Sequence, residues 1–377
     1  MAGIYIHIPF CKQACYYCDF HFSTSLAQKE NLLRCLQQEL HVQKDYLGGA
    51  PIETVYLGGG TPSILSQKEL GDLLNTVRAL YAVSPQAEIT LEANPDDLSL
   101  THLQELYQLG INRLSIGIQS FNNGFLHSMN RAHNAEEALA AIHLARQAGF
   151  SNISADLIYA FPHSDHSLWQ ADLQQMLAFR PEHISAYCLT VEEKTVLGKW
   201  TKKGSFQPAD EEFAAHQFEQ LQQALAEAGY IQYEVSNFCL PGYESKHNSN
   251  YWKQTPYLGI GPSAHSYDGH SRQYNISNNA LYCKSIEKGE LPCEKEILSQ
   301  ENAINEYLMT NLRTVWGCDS SFLEKQYDFQ WLPEQLTYIQ ALVAKGLAHF
   351  EQGVLRLSPQ GLLLADKIAA DLFVEES

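Results

Sequence analysis

Short apolar runs alternate with amphipathic stretches along the first 230 residues of the chain. The apolar runs predict six strands, at residues 4–8, 54–57, 88–92, 113–119, 152–159 and 183–189. The amphipathic stretches predict helices, and those after the third, fourth and sixth strands end at Gly110, Gly149 and Gly229. Successive strand–helix units of about 30 residues predict a parallel sheet covered by helices.

Two folds share this periodicity, an open doubly wound sheet and a (β/α) barrel. Polar residues follow five of the predicted strands at their carboxyl ends: Thr61, Glu92, Gln119, Asp156 and Thr190. Barrels carry their chemistry on this rim, so the pattern favours a barrel. One or two of the five are expected to be structural caps instead. We therefore predict an α/β protein with a partial (β/α)6 barrel.

The pattern changes after about residue 230. Residues 231–238 predict another strand, and residues 246–267 an aromatic and polar loop. The remaining chain predicts two helices, a hairpin around Gly353 and a last helix, at 302–312, 335–345, 349–357 and from Ser358. This order is typical of a winged-helix-like unit.

The winged-helix-like unit carries little basic charge, which favours a lid or docking role over DNA binding. The predicted domains are the barrel at residues 1–235, a connecting segment at 236–290 and a smaller, mostly helical C-terminal domain at 291–377.

Composition narrows the functional class and the compartment. The 377 residues include 25 lysines and arginines against 43 aspartates and glutamates, a formal net charge of −18. Such a surface repels phosphate backbones and anionic membranes, so no nucleic-acid partner is expected. No run reaches the roughly 20 apolar residues of a membrane span, and no signal peptide is recognisable. The nine cysteines lack paired spacing, which indicates reduced thiols and a cytoplasmic protein.

Three cysteines stand close together directly behind the first strand. Cys11, Cys15 and Cys18 have the spacing C-x3-C-x2-C, and thiolates are ligands of iron–sulfur clusters and zinc. A [4Fe–4S] cluster held by three cysteines keeps one iron open for a small molecule. Structural zinc is the alternative, with His7 or His21 as the fourth ligand, and a disulfide is disfavoured in a reducing compartment. We interpret the triad as the site of a [4Fe–4S] cluster.

The segment CKQACYYC resembles the cysteine signature of radical S-adenosylmethionine (SAM) proteins, with Tyr17 at the aromatic position before the last cysteine. The resemblance implies a full or partial (β/α) barrel, a [4Fe–4S] cluster and SAM, whose amino and carboxylate groups chelate the open iron. In that family one electron from the cluster cleaves SAM to a 5′-deoxyadenosyl radical. The turn GGGTP at residues 58–62 fits the same family, in which it meets the methionine amino end.

Further segments are similar to the oxygen-independent coproporphyrinogen III oxidase family: IYIHIPFC, GGGTPS, LEANPDDL, RLSIGIQSF, NRAHN and DLIYAFP. By that resemblance ten residues are predicted cofactor contacts: Tyr5, Tyr17, Gly59, Gly60, Thr61, Glu92, Gln119, Arg131, Asp156 and Thr190. Glu92 and Asp156 can accept from ribose hydroxyls or an amino group, and Arg131 can pair with a carboxylate. Helix caps or buried ion pairs are the alternative roles of these three residues.

Two departures separate the chain from the oxidase itself. The oxidase signature continues to a fourth cysteine where this chain has Phe20, and the oxidase has an N-terminal arm where this chain begins ten residues before Cys11. The segment HNSNYW at residues 247–252 instead matches the HNxxYW motif of the heme-chaperone branch of the same family. Imidazole is a common axial ligand of heme, so His247 is the predicted heme ligand, with Tyr251 and Trp252 packed on the porphyrin.

The resemblance therefore predicts a heme chaperone that carries heme and a SAM-ligated cluster. Its predicted partners are heme, a membrane-associated hemoprotein that accepts the heme, and an electron donor for the cluster. The chain would be peripheral to the membrane only through that acceptor. A radical SAM oxidase or another porphyrin-modifying enzyme is the alternative. His265 has no predicted role, and His163 and His166 are expected to be exposed or capping residues.

Overall fold

The computed structural model describes residues 1–375 of the protein. The strands in this range are β1 (Ala2–Ile8), β2 (Ile52–Gly59), β3 (Val83–Ala93), β4 (Arg113–Gln119), β5 (Ile153–Tyr159), β6 (His183–Cys188), β7 (Ile231–Glu234), β8 (Asn237–Cys239), β9 (Tyr257–Ile260), β10 (His265–Tyr267), β11 (Ser271–Asn275), β12 (Cys293–Ile297), β13 (Cys318–Asp319), β14 (Ala348–Glu351) and β15 (Val354–Leu357). The helices are α1 (Lys29–Val42), α2 (Gln67–Leu80), α3 (Leu100–Gln108), α4 (Asn123–Ser128), α5 (Ala135–Ala148), α6 (Ser167–Phe179), α7 (Val196–Lys202), α8 (Glu211–Glu227), α9 (Lys246–Trp252), α10 (Asn279–Ile286), α11 (Gln300–Asn311), α12 (Ser320–Tyr327), α13 (Pro333–Ala344), α14 (Pro359–Leu362) and α15 (Ala365–Asp371).

Twelve of the strands form one sheet, in the order β12-β11-β10-β9-β1-β2-β3-β4-β5-β6-β8-β7. Neighbours from β9 to β6 are parallel, and the strands outside this block pair antiparallel. Within residues 1–375 the order ends at β12 on one side and at β7 on the other, so hydrogen bonds do not close a ring. The predicted α/β class with an incomplete barrel is confirmed.

The strands of the parallel block have one apolar and one polar face. On β1, Ile4, Ile6 and Ile8 are fully buried in the core between the sheet and its helices. Alternate residues of a strand point to the opposite face, where Glu92 of β3 and Asp156 of β5 line a cavity. The same alternation that builds the core therefore places polar groups inside the barrel.

Sequence-encoded caps fix the beginnings and ends of helices. The Ser66 and Glu69 side chains each accept from the other's backbone N–H at the start of α2. Asn134 and Glu137 form the same capping box at the start of α5, which ends at Gly149 with φ +107°. The predicted helix ends are confirmed here, and each N-cap contributes about 1 kcal/mol.

A buried carboxylate joins α1 to the antiparallel part of the sheet. Glu39 of α1 is fully buried and accepts from Tyr282 Oη (2.5 Å), Asn275 Nδ2 (2.7 Å) and the Gly261 backbone N–H (2.8 Å). Burial raises the pKa of Glu39. Since the three donors belong to α10, to β11 and to the segment after β9, one side chain ties these elements to the barrel.

The prediction of a loop at residues 246–267 is wrong, because most of the segment forms a helix and strands. α9 begins after Ser245, whose Oγ accepts from the Asn248 backbone N–H (3.4 Å). β9 pairs parallel with β1 near the middle of the sheet. Strand β9 is only four residues long and lies among aromatic and polar residues. So short a run shows no alternation of apolar and polar residues that would predict a strand.

The C-terminal unit has its own core. From α11 to β15 its elements follow the order helix, strand, helix, helix, strand, strand, and β13-β15-β14 form a three-stranded sheet. Leu308, Ile339 and Leu355 meet in the core. The hairpin turns at Gln352 and Gly353, which both have positive φ. The two predicted helices and the hairpin are confirmed, while α12 and β13, which complete the winged-helix-like order, were not predicted. The domain boundaries stay a prediction. None of the helices in residues 1–375 combines the length and the apolar character needed to cross a membrane.

Candidate functional site

A large cavity of about 950 Å³ lies at the carboxyl ends of the parallel strands. All three cysteines of the triad line it. Nine of the predicted cofactor contacts line it as well: Tyr17, Gly59, Gly60, Thr61, Glu92, Gln119, Arg131, Asp156 and Thr190. Two predicted site residues, Tyr5 and His247, do not line the cavity.

The cysteine loop is held to the barrel by backbone hydrogen bonds. The Cys11 N–H donates to the Ser23 carbonyl (3.1 Å), and the Tyr16 N–H donates to the Met129 carbonyl (3.1 Å). The first bond closes the loop on itself, and the second fastens it to the segment after α4. These anchors hold the thiols at the mouth of the barrel.

The three thiols are free and partly exposed. Thr61 Oγ1 lies 3.4 Å from Cys11 Sγ, and Arg131 Nη1 lies 3.4 Å from Cys15 Sγ. Burial raises the pKa of the Cys11 thiol, and burial raises the pKa of Cys18 to about 11. Because metals bind thiolates, binding of a metal by these three cysteines would release protons.

The donor set fits an iron–sulfur cluster better than a single zinc ion. Zinc gathers four ligands within about 2.3 Å of one point. His7 has both ring nitrogens in hydrogen bonds, to Tyr5 Oη (3.0 Å) and to the His21 carbonyl (2.9 Å), and His21 Nε2 is bonded to Asn279 Oδ1 (2.7 Å). The cysteines instead face a cavity with room for a cluster and a ligand on its open iron.

The glycine turn at the end of β2 packs directly on the backbone that leads into the cysteine loop. A Cβ on Gly60 would lie 2.7 Å from the carbonyl oxygens of Ile8 and Phe10. A Cβ on Gly59, which has φ +105°, would lie 2.4 Å from the His7 ring. Only glycine permits this approach, and it leaves the backbone of the turn facing the cavity.

Two carboxylates line the cavity from neighbouring parts of the sheet. Glu92 accepts from Tyr56 Oη (2.9 Å) and from the Gly59 backbone N–H (3.0 Å). Ser115 Oγ lies 3.4 Å from each carboxylate oxygen of Asp156. Burial, with a smaller effect of the Asp156 charge, raises the pKa of Glu92 to about 7, and burial raises the pKa of Asp156 to about 6. The pair favours a ligand that brings positive charge or hydroxyl donors.

Arg131 spans the distance from the cysteine loop to the strand ends. Its Nη1 lies 3.3 Å from Tyr17 Oη and also contacts Cys15. Its Nη2 donates to the Gly117 carbonyl (2.8 Å) and to Asn94 Oδ1. The Nε–H is buried and has no protein partner in the described chain. An unpaired buried donor is costly, so this N–H is suited to an anionic group of a ligand.

His247 lies in the interior of the barrel, outside the cavity, and the residue is 1% exposed. Its Nδ1 is hydrogen-bonded to Thr54 Oγ1 (2.8 Å) and its Nε2 to Tyr251 Oη (2.8 Å). Burial lowers the pKa of His247 to about 3, so the ring is neutral. Heme ligation by His247 stays a prediction, and it requires one of these two hydrogen bonds to break.

The other histidines singled out by the sequence lie away from the cavity. His265 is exposed on β10, beside Tyr274. As expected, His163 is exposed. His166 is partly buried and takes the N-cap position of α6 without a capping hydrogen bond from its side chain, and its ring is stacked on Phe213.

Sequence reasoning missed part of the cavity wall. Asn94, Tyr187 and residues 362–367 all line the cavity. Asn94 lies in a segment that carried the family resemblance, and strand alternation could have found Tyr187 at the end of β6. No local signal marks residues 362–367, since their position depends on how the C-terminal unit packs.

Known proteins similar to this chain agree with these features. The profile of the Radical SAM superfamily matches residues 5–173. The protein named heme chaperone HemW of Bacillus subtilis (strain 168) is 35% identical over 376 residues, covering 98% of both chains. Heme chaperone HemW of Escherichia coli (strain K12) is 39% identical over 267 residues, covering 70% of this chain and 69% of its own.

A solved structure shows the same fold. Coproporphyrinogen III oxidase (HemN) from Escherichia coli, described as a radical SAM enzyme, superposes with a TM-score of 0.86 over 99% of this chain and 90% of its own. The two sequences are 22% identical, so the likeness concerns the architecture.

Proposed function

Because the chain belongs to the HemW family of radical SAM proteins, we propose that it binds heme and delivers it to an acceptor hemoprotein. Relatives that match nearly the whole chain are named heme chaperones, and that name supports the same role here. The observation that supports the proposal most is a continuous cavity that joins the cysteine loop to an apolar wall.

The lining of the cavity has a polar part and an apolar part. Cysteines and polar strand-end residues form the polar part, while residues 362–364 and Phe218 contribute to the apolar part. Leu363 and Leu364 are exposed, so they offer apolar surface to a ligand. The volume of about 950 Å³ is near the top of the range of about 300–1,000 Å³ for ligand pockets. A flat apolar molecule with anionic edges, such as heme, suits the apolar part of the lining.

The polar part of the lining suits the cluster and SAM of a radical SAM protein. The three cysteines would hold the cluster, which together with SAM supplies one-electron chemistry at its open iron. Glu92 and Asp156 offer acceptors to hydroxyl or amino groups of SAM, and the free Nε–H of Arg131 offers a donor to its carboxylate. In the proposed role these contacts support or regulate heme transfer.

The affinity for SAM is expected to fall as the pH is lowered through about 7, the pKa to which burial, with a smaller effect of the Asp156 charge, raises Glu92. Only the ionised carboxylate can accept a hydrogen bond through both oxygens. Below this pH, binding is expected to weaken by up to about tenfold per pH unit. The titratable groups that interact with Glu92 are Tyr5, Cys11, Tyr56, Asp156, Tyr187 and Tyr251.

Equilibrium binding of SAM to the cluster-loaded protein on both sides of neutral pH measures this dependence. The matched variant is Glu92→Gln, which keeps the shape but cannot ionise, and its profile should be flat over the same range. An equally steep profile in Glu92→Gln would assign the pH dependence to another group.

The acceptor of the heme is proposed to be a membrane-associated hemoprotein, and a separate electron donor is proposed for the cluster. The net charge of −18 disfavours direct adsorption to anionic lipid. The protein would therefore reach the membrane by docking on the acceptor.

A Leu364→Asp variant is expected to bind heme about tenfold more weakly than the wild type, because a charge replaces apolar contact area at the cavity wall. The matched control is Leu332→Asp, since Leu332 and Leu364 are 43% and 44% exposed and only Leu364 lines the cavity. Titration with hemin, followed by the Soret absorbance, measures both affinities. Equal affinities in the two variants would remove this wall from the heme site.

Heme delivery itself is tested with the cluster-loaded, heme-loaded protein and a heme-depleted membrane hemoprotein. Transfer appears as the absorbance spectrum of the restored acceptor, at a rate above that of free hemin. Absence of transfer would refute the chaperone role. In a parallel assay the same protein is incubated with coproporphyrinogen. Conversion to protoporphyrinogen would favour the enzyme alternative.

A further inference from the structure

We propose that His247 is a positioning residue of the SAM site, which holds Tyr56 in place and, through Tyr56, orients the carboxylate of Glu92. This role differs from the heme ligation that the HNxxYW resemblance implies. It depends on the radical SAM cofactor and not on heme delivery, so the two proposals can fail separately.

The imidazole of His247 is fixed from several sides. Besides the hydrogen bonds to Thr54 and Tyr251, its backbone N–H donates to Glu88 Oε1 (3.1 Å). On β1, a Cβ at Gly3 would lie 3.3 Å from His247 Nδ1, so the strand passes closely over the ring. Strands β1, β2 and β3 therefore all contribute to the position of this one side chain.

A stack of aromatic rings leads from His247 towards the cavity. The Tyr56 ring lies 5.0 Å from the His247 ring, with 27° between their planes. The Tyr5 ring lies 6.1 Å from the Tyr56 ring, with 29° between the planes. The Tyr56 hydroxyl then donates to Glu92 Oε1 (2.9 Å), and Glu92 is a cavity residue. Two contacts thus connect the buried histidine to the carboxylate.

Tyr56 and Glu92 have little freedom to adopt another arrangement. A Cβ on Gly58 would lie 2.8 Å from Tyr56 Cε1 and 2.9 Å from Glu92 Oε1, so both side chains lie tightly over the backbone of Gly58. The second carboxylate oxygen of Glu92 is bonded to the Gly59 N–H (3.0 Å). Displacing the Tyr56 ring therefore moves the carboxylate and loosens the glycine turn beside the cysteine loop.

A second histidine in the barrel provides a close structural comparison. His183 of β6 is fully buried, with Nδ1 bonded to Ser154 Oγ (2.8 Å) and Nε2 bonded to Tyr233 Oη (2.6 Å). Like His247 it bridges a strand hydroxyl and a tyrosine hydroxyl. It does not stack on Tyr56, and it is outside the cavity. His183 is therefore the matched control for loss of a buried, doubly bonded histidine.

The test compares His247→Ala, Tyr56→Phe and His183→Ala in the cluster-loaded protein. Tyr56→Phe keeps the ring stack and removes only the hydroxyl that reaches Glu92, so it is the decisive variant if His247→Ala does not fold. Both His247→Ala and Tyr56→Phe are expected to weaken SAM binding about tenfold, the effect of losing one hydrogen bond to a charged group. His183→Ala should bind SAM as the wild type does, whatever its thermal stability.

Spectra of the cluster and of bound heme distinguish a positioning role of His247 in the SAM site from ligation of heme iron by His247. Addition of SAM should change the electron paramagnetic resonance spectrum of the reduced cluster less in His247→Ala and Tyr56→Phe than in the wild type. The absorbance and paramagnetic resonance spectra of bound heme should be the same in all four proteins. A changed heme spectrum in His247→Ala with unchanged SAM affinity would overturn the proposal, and so would wild-type SAM affinity in Tyr56→Phe.

Discussion

A Cys15→Ser variant, reconstituted with iron and sulfide, is expected to contain iron only at the level of the blank. We propose that Cys11, Cys15 and Cys18 are the three protein ligands of the cluster, and serine is a poor replacement because its hydroxyl is seldom ionised. With two thiolates left, the cluster has too few protein ligands to persist. Iron and acid-labile sulfide per chain, together with the absorbance of the cluster, measure the loss.

Cys293→Ser is the matched control for this experiment. Cys293 is a free, partly exposed thiol like the triad, but it lies on β12 and does not line the cavity. This variant should keep the full cluster. A full cluster in Cys15→Ser would show that another residue supplies the ligand, and loss of iron in both variants would point to a damaged preparation.

A Glu39→Ala variant is expected to lower the free energy of unfolding by about 3 kcal/mol or more. Three buried donors, on Tyr282, Gly261 and Gln43, would lose their acceptor, and Asn275 Nδ2 would keep only the Gly261 carbonyl. Each orphaned group costs about 1–3 kcal/mol. The midpoint of urea unfolding measures the effect. Among single substitutions outside the cavity, this is the largest loss of stability we expect.

Two further variants test the reason for that loss. Glu39→Gln keeps one acceptor oxygen and should lose less stability than Glu39→Ala. Glu30→Ala removes an exposed carboxylate from the first turn of the same helix and should change the midpoint little. If Glu39→Ala unfolds at the wild-type urea concentration, the network does not stabilise the fold.

The sequence predicted those parts of the fold that depend on residues close together in the chain. Ser66 with Glu69, and Asn134 with Glu137, mark helix starts because the cap and its partner are three residues apart in the chain. The strand periodicity predicted the parallel sheet, and the position of polar residues after the strands predicted where the cavity would lie. The cysteine triad is likewise contained within eight residues.

The surroundings of His247 could not be predicted, because they come from distant parts of the chain. Its partner Thr54 is 193 positions away, and the close strand at Gly3 is farther still. The HNSNYW segment resembles the HNxxYW motif, but its local pattern is that of an aromatic and polar stretch, and the sequence predicted a loop there. Burial of the ring depends on tertiary packing, which no local pattern of residues records.

The ion pairs of the cavity wall formed by residues 362–367 affect how long a ligand remains in the cavity. Asp366, at the start of α15, pairs with Arg313, which also pairs with Glu234 of β7 (3.1 Å). Arg313 is partly exposed and Asp366 largely so, and added salt weakens exposed ion pairs of this kind. Because these pairs help to hold the wall beside the cavity, a bound ligand is expected to dissociate faster at high ionic strength, even though neither charge needs to contact the ligand itself.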